Sequence, residues 1–201
     1  MDETQSLFKS QEVRRSNIFY YPFNAYTSLF YLMPIIPLFK KIQVFELIGI
    51  IILVILTIFS LLWWGIRDKQ TQIIDIVSYS SLIMYIGFYY LYKKSSIDKN
   101  NLIGIFLFLM ILVLSITVVE KVYMRIINVL SVIFSLLVFI HYFESNTELL
   151  GIALIIISLI LKIGDSLALI DYNKLKLISG TGWFHILSAI GVYFIFDTLS
   201  S

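Results

Sequence analysis

Apolar residues in this chain come in long runs separated by short polar breaks, and the run lengths set the architecture. A helix needs about 20 mostly apolar residues to cross a hydrocarbon core of about 30 Å. Reading between charged or polar breaks gives seven such stretches, approximately 17–39, 42–66, 73–92, 102–119, 122–143, 148–170 and 178–199. The first carries Pro22, Pro34 and Pro37 and includes the polar FNAYTS, so it is the stretch in which neighbours must satisfy freed carbonyls. A six-span alternative makes it a re-entrant piece. The pattern predicts an all-α integral membrane bundle of seven transmembrane helices. Residues 1–16 form a polar N-terminal tail and 17–201 a single seven-helix transmembrane domain.

Composition narrows the functional classes. The 201 residues are 59% hydrophobic and 14% charged, with a mean hydropathy of +0.91, against roughly 45–50% apolar content in soluble domains. The connections are too short for a soluble domain, so any chemistry belongs inside the bundle or at its rim. Residues 1–16 are polar and no small-residue cleavage site follows an early apolar core, so no cleavable signal peptide is expected. The absence of cysteine excludes disulfides and thiolate metal sites. A net charge of +2 is no nucleic-acid footprint. Positive loop residues number nine on the N-terminal side (Lys9, Arg14, Arg15, Arg67, Lys69, Lys121, Arg125, Lys174, Lys176) and five on the other (Lys40, Lys41, Lys93, Lys94, Lys99), which places the N-terminus in the cytoplasm.

Ionisable residues inside spans are expensive and therefore functional candidates. Asn24, Thr27, Ser28, Ser60, Gln72, Asp75, Asp165 and His185 all fall toward the inner ends of their spans. They make either a polar pocket or ordinary helix-end chemistry, with Asp75 and Gln72 in a first helical turn and Asp165 paired with Lys162. The other histidine, His141, lies about 28 Å away along the membrane normal at 1.5 Å per residue. The two histidines therefore share no metal, and His141 reads as an interfacial residue beside Tyr142 and Glu144. Glu46, near the outer start of the second span, reads as interfacial too.

The stretch FSLLWWGIRDKQTQIIDIVSY resembles the second-to-third-helix motif of the alkaline ceramidase family, part of the CREST group of seven-helix membrane hydrolases. In that motif a serine precedes a histidine by four residues, and a glutamine and an aspartate follow on the next helix, the aspartate eleven residues after the histidine. Ser60, Gln72 and Asp75 fall in register, and Trp64 stands at the histidine. YPFNAYTSLFYLMP is similar to the family's first helix, with Asn24 matching and Thr27 and Ser28 at its Ser-Asn pair. LILKIGDSLALIDYNKLKLISGTGWFHILSAIGVYF is similar to its ending, where Asp165 and His185 match and Thr181 stands at the first histidine of a His-x-x-x-His pair.

The resemblance implies seven helices and a hydrolase in which three histidines bind a zinc whose water attacks a lipid amide, with Ser60 and Asp75 assisting. Of those histidines only His185 is present. Thr181 is a poor zinc ligand and Trp64 cannot coordinate. Tyr21, where related ceramidases carry an acidic residue, removes the case for a calcium site. The favoured expectation is a metal-poor, lipid-binding relative without cofactor, whose inner pocket holds Asn24, Thr27, Gln72, Asp165 and His185. The alternative is an active amidohydrolase cleaving ceramide-like or other N-acyl lipids, with zinc retained by His185, Asp75 and Asp165. A small-solute or proton pathway through Asp75 and Asp165 is the third reading. A retinal protein is disfavoured, because Ile178–Leu199 contains no lysine.

Overall fold

Six long helices and one broken helical segment follow from where the chain places its prolines, caps and polar breaks. The computed structural model describes residues 21–66, 68–117, 121–167 and 179–201. The N-terminal tail and Lys9, Arg14, Arg15, Arg67, Lys174 and Lys176, which carry much of the orientation count, lie outside the described residues.

The first predicted span is not one helix. Pro22 opens α1 (Pro22–Thr27), where a missing N–H is harmless. The chain tightens into a 3-10 turn over Ser28–Leu32, then forms α2 (Ile35–Leu38) and a second 3-10 turn over Phe39–Lys41. Pro34 and Pro37 have no N–H to donate, and their rings crowd the carbonyls four residues back, so a continuous helix is blocked. One face of the segment is buried through Asn24, Ala25, Ser28, Tyr31 and Leu38.

The remaining helices have clear starts. α3 is Val44–Ile66. α4 (Lys69–Lys94) begins at Asp68, whose carboxylate accepts from the backbone N–H of Gln70 at 2.8 Å and Thr71 at 3.1 Å. Asp75 is therefore not a first-turn residue, as helix-end chemistry would have it; it lies two turns inside. α5 is Lys99–Thr117 and α6 is Lys121–Tyr142. α7 (Asn146–Ser166) opens with a capping box between Ser145 and Glu148. α8 (Gly180–Ser200) is capped by Ser179, whose hydroxyl accepts from Gly182 N at 3.1 Å. No strand occurs among the described residues.

Four of these helices, Val44–Ile66, Gln70–Lys94, Asn146–Ser166 and Gly180–Ser200, are long and apolar enough to cross a membrane; shorter apolar stretches cover Lys99–Val113 and Ile126–Tyr142. Large apolar side chains such as Phe108, Leu137, Ile140 and Ile160 are more than 60% exposed, the arrangement expected where lipid is the solvent.

α4 is the hub, packing on α3, α5 and α6, while α7 packs along α8 and the broken segment lies across α3 and α8. The α7–α8 crossing is close because glycines meet there. A Cβ on Gly191 would stand 2.5 Å from the Gly151 carbonyl oxygen, the small-residue contact that drives helix association in membranes. At the end of the bundle away from Asp75, Phe45, Tyr85, Tyr89 and Tyr92 stack against one another. Glu46 is buried in that cluster, paired with Lys93 at 2.6 Å and contacted by Gln43 N at 3.2 Å and Tyr89 Oη at 3.3 Å. The glutamate read as interfacial thus sits in the first turn of α3 and staples α3 to α4. His141 is exposed at the end of α6, its ring against Tyr142.

Candidate functional site

The polar residues predicted to share one end of the bundle converge on a small volume. α1 delivers Asn24, whose backbone carbonyl accepts from Ser28 Oγ at 2.9 Å and from His185 Nδ1 at 3.1 Å. The Asn24 side-chain oxygen accepts from Ser179 Oγ at 2.6 Å, which ties the broken segment to the cap of α8. Thr27 Oγ1 donates to Phe23 O at 2.8 Å and lies 3.1 Å from His185 Nδ1. Ser28 Oγ also lies 2.9 Å from Ser60 Oγ on α3, and Ser60 hydrogen-bonds Asp75 on α4. Hydroxyls thus link the broken segment and α3 to the half-buried carboxyl of Asp75.

The second carboxylate is held by a different route. Asp165 Oδ2 on α7 accepts from Thr181 N at 2.9 Å and Thr181 Oγ1 at 2.5 Å. Thr181 Oγ1 in turn accepts from Lys162 Nζ at 2.6 Å. The pairing of Lys162 with Asp165 expected one helical turn apart is joined through Thr181, a residue on the neighbouring helix. The same ammonium lies 4.8 Å from the Trp64 ring centroid, within cation–π range. Trp64 is 2% exposed, its ring centroid 6.1 Å from that of His185 and 5.9 Å from that of Tyr21.

These groups border a cavity of about 320 Å³, lined by Ser60, Trp64, Asp75, Lys162 and His185 together with Tyr31, Tyr79 and Asn128. Its apolar lining has a direction. Leu56 precedes Ser60 by one turn on α3, Leu159 precedes Lys162 by about one turn on α7, and Ile83 follows Asp75 by two turns on α4. α3 and α7 run toward the polar end and α4 runs away from it, so all three lie on the mid-bundle side. Val129, Val132 and Ile133 of α6 extend this wall; Val129 and Ile133 are 57% and 47% exposed, so the cavity meets the outer surface along α6.

Of the predicted residues, Ser60, Asp75, His185 and Trp64 line the cavity, while Asn24, Thr27, Asp165 and Thr181 form the buried layer that holds them. Gln72 is buried but does not line the cavity, and its side-chain nitrogen makes no hydrogen bond among the described residues. Lys162 was legible in LILKIGD only as a partner for Asp165, although an ionisable residue inside an apolar run is itself a site signal. Tyr31, Tyr79 and Asn128 carried no such signal, since single aromatics and amides in spans are common.

Among the described residues, no group of three or more histidines, aspartates and glutamates stands close enough to hold a metal ion. The Asn24 carbonyl engages His185 Nδ1, and Thr181 engages Asp165. The positive charge beside positions 64 and 181 is the Lys162 ammonium. Neither protein-family models nor curated proteins give a match to this chain.

Proposed function

We propose that this chain is a seven-helix integral membrane protein that binds a single-chain lipid in the cavity between α3, α4, α6, α7 and α8. On this reading the broken segment and α3 to α8 are the seven spans, and the N-terminus is cytoplasmic. It is a metal-poor relative of the ceramidase-like hydrolases, with Trp64 and Thr181 at two former histidine positions. The observation that carries the reading is the gradient along the cavity. Ser60, Asp75, Lys162 and His185 lie toward one end of the bundle, and Leu56, Ile83, Val132 and Leu159 continue toward its middle. Such a gradient matches an amphiphile whose head lies near the membrane face and whose chain points inward. The approach of positions 24, 60, 64, 75, 165, 181 and 185 to one another supports the resemblance as well.

Trp64 lines the cavity and reports its occupancy. Purified in mild detergent, the protein is expected to show saturable quenching of tryptophan fluorescence by a single-chain lipid brominated near its head. Trp64→Phe should remove most of the quenching. Equal quenching of wild type and variant would defeat the reading, because the lipid would then be coating the outside.

A second reading, hydrolysis of ceramide-like or other N-acyl lipids, draws on Ser60, Asp75 and His185 lining the same cavity. It requires that Asp75→Ala and His185→Ala abolish turnover while both variants remain folded.

A further inference from the structure

The cavity wall carries one acidic and one basic side chain. Asp75 from α4 and Lys162 from α7 both line it, whereas Asp165 sits behind Thr181. A charged head group entering between Asp75 and Lys162 finds a matching partner on one side only. It must also give up its hydration where an uncompensated charge is costly. A neutral head offering both a donor and an acceptor satisfies the two together.

His185 adds a second requirement. Its Nδ1 lies 3.1 Å from the backbone carbonyl of Asn24, an oxygen that only accepts. That partner assigns the ring proton to Nδ1 and leaves the lone pair on Nε2. The Thr27 hydroxyl, whose own proton goes to Phe23 O, is a second acceptor for Nδ1–H. Among the described residues Nε2 makes no hydrogen bond, and His185 lines the cavity. Asp75 and His185 thus accept from a donor, and Lys162 offers one.

We infer that the occupant is an uncharged single-chain lipid whose head bears a hydroxyl beside a carbonyl, as in the monoacylglycerol class. The hydroxyl faces Asp75 and His185 Nε2, the carbonyl faces Lys162, and the chain runs along Leu56, Val132 and Leu159. A volume of about 320 Å³ is at the small end of ligand cavities, suited to one chain rather than two. The inference rests on the lipid-binding reading and specifies its ligand.

The test is competition against the brominated probe by 1-monooleoylglycerol, oleate, oleylamine and methyl oleate, which share a chain and differ in head. Monooleoylglycerol is expected to compete at least about tenfold better than the other three, the factor expected when a hydrogen bond to a charged group goes unmade. Asp75→Asn should reduce that advantage while leaving methyl oleate unchanged, and if the variant does not fold, the wild-type ranking decides alone. A preference for oleate or oleylamine would overturn the neutral-head inference and keep lipid binding, as would equal competition by methyl oleate. Competition by none of the four would remove the lipid-binding reading, and this inference with it.

Discussion

Replacing Lys162 by methionine tests whether the buried cation organises the site. Methionine keeps the length of the side chain and removes the charge. Lys162 Nζ donates to Thr181 Oγ1 at 2.6 Å and sits 4.8 Å from the centre of the Trp64 ring. A hydrogen bond from a charged group contributes about 1.5–3 kcal/mol, and a desolvated cation–π contact about 2 kcal/mol. The sum, about 3.5–5 kcal/mol, falls within the range of about 3–5 kcal/mol for removing one partner of a buried charge pair. Asp165→Asn keeps one acceptor oxygen for Thr181 and should cost less, about 1–3 kcal/mol. The double variant should cost less than the two single losses added, by a coupling of about 1–3 kcal/mol, because neither charge is then left alone. Equilibrium unfolding in mixed micelles, followed by far-ultraviolet circular dichroism, measures all three. A loss below about 0.5 kcal/mol for Lys162→Met, or strict additivity, would refute the reasoning.

Other outcomes follow from contacts elsewhere. Gly191→Ala would place its new carbon 2.5 Å from the backbone oxygen of Gly151, so it should lower stability by about 1–3 kcal/mol; Gly164→Ala, with nothing within 4 Å of the added carbon, is the neutral control in the same unfolding assay. Glu46→Ala should cost about 2–4 kcal/mol, below the full range for a broken buried pair because Lys93 is 20% exposed and can turn to water. Lys40→Ala, by contrast, should leave unfolding unchanged, since its pair with Asp197 is exposed on both sides. If Trp64 and Thr181 stand at former metal-ligand positions, Trp64→His with Thr181→His should still bind no zinc, because the Lys162 ammonium lies beside both positions. Adding Lys162→Met should produce zinc binding, read by elemental analysis; zinc in the double variant without it would show that the ammonium is no obstacle.

The number and lengths of the apolar runs are properties of the sequence, because crossing or packing against a hydrocarbon layer requires a minimum run of apolar residues. The all-α architecture and the long helices from α3 to α8 were therefore readable in advance, and so was the clustering of Ser60, Asp75, Asp165 and His185 at one end, since depth along a helix follows from counting residues. What counting leaves open is azimuth. Which side of each helix faces its neighbours depends on packing, and packing put Lys162 against Thr181 and Trp64 and turned Glu46 inward to Lys93. It also decided where the proline-interrupted segment would lie, so that the Asn24 carbonyl receives the His185 ring. The Asp165–Thr181–Lys162 linkage joins residues from two helices, and the cavity joins residues from five helices and the broken segment. No local pattern encodes such a meeting, because its position is set by how closely backbones approach, as Gly151 and Gly191 do where α7 crosses α8.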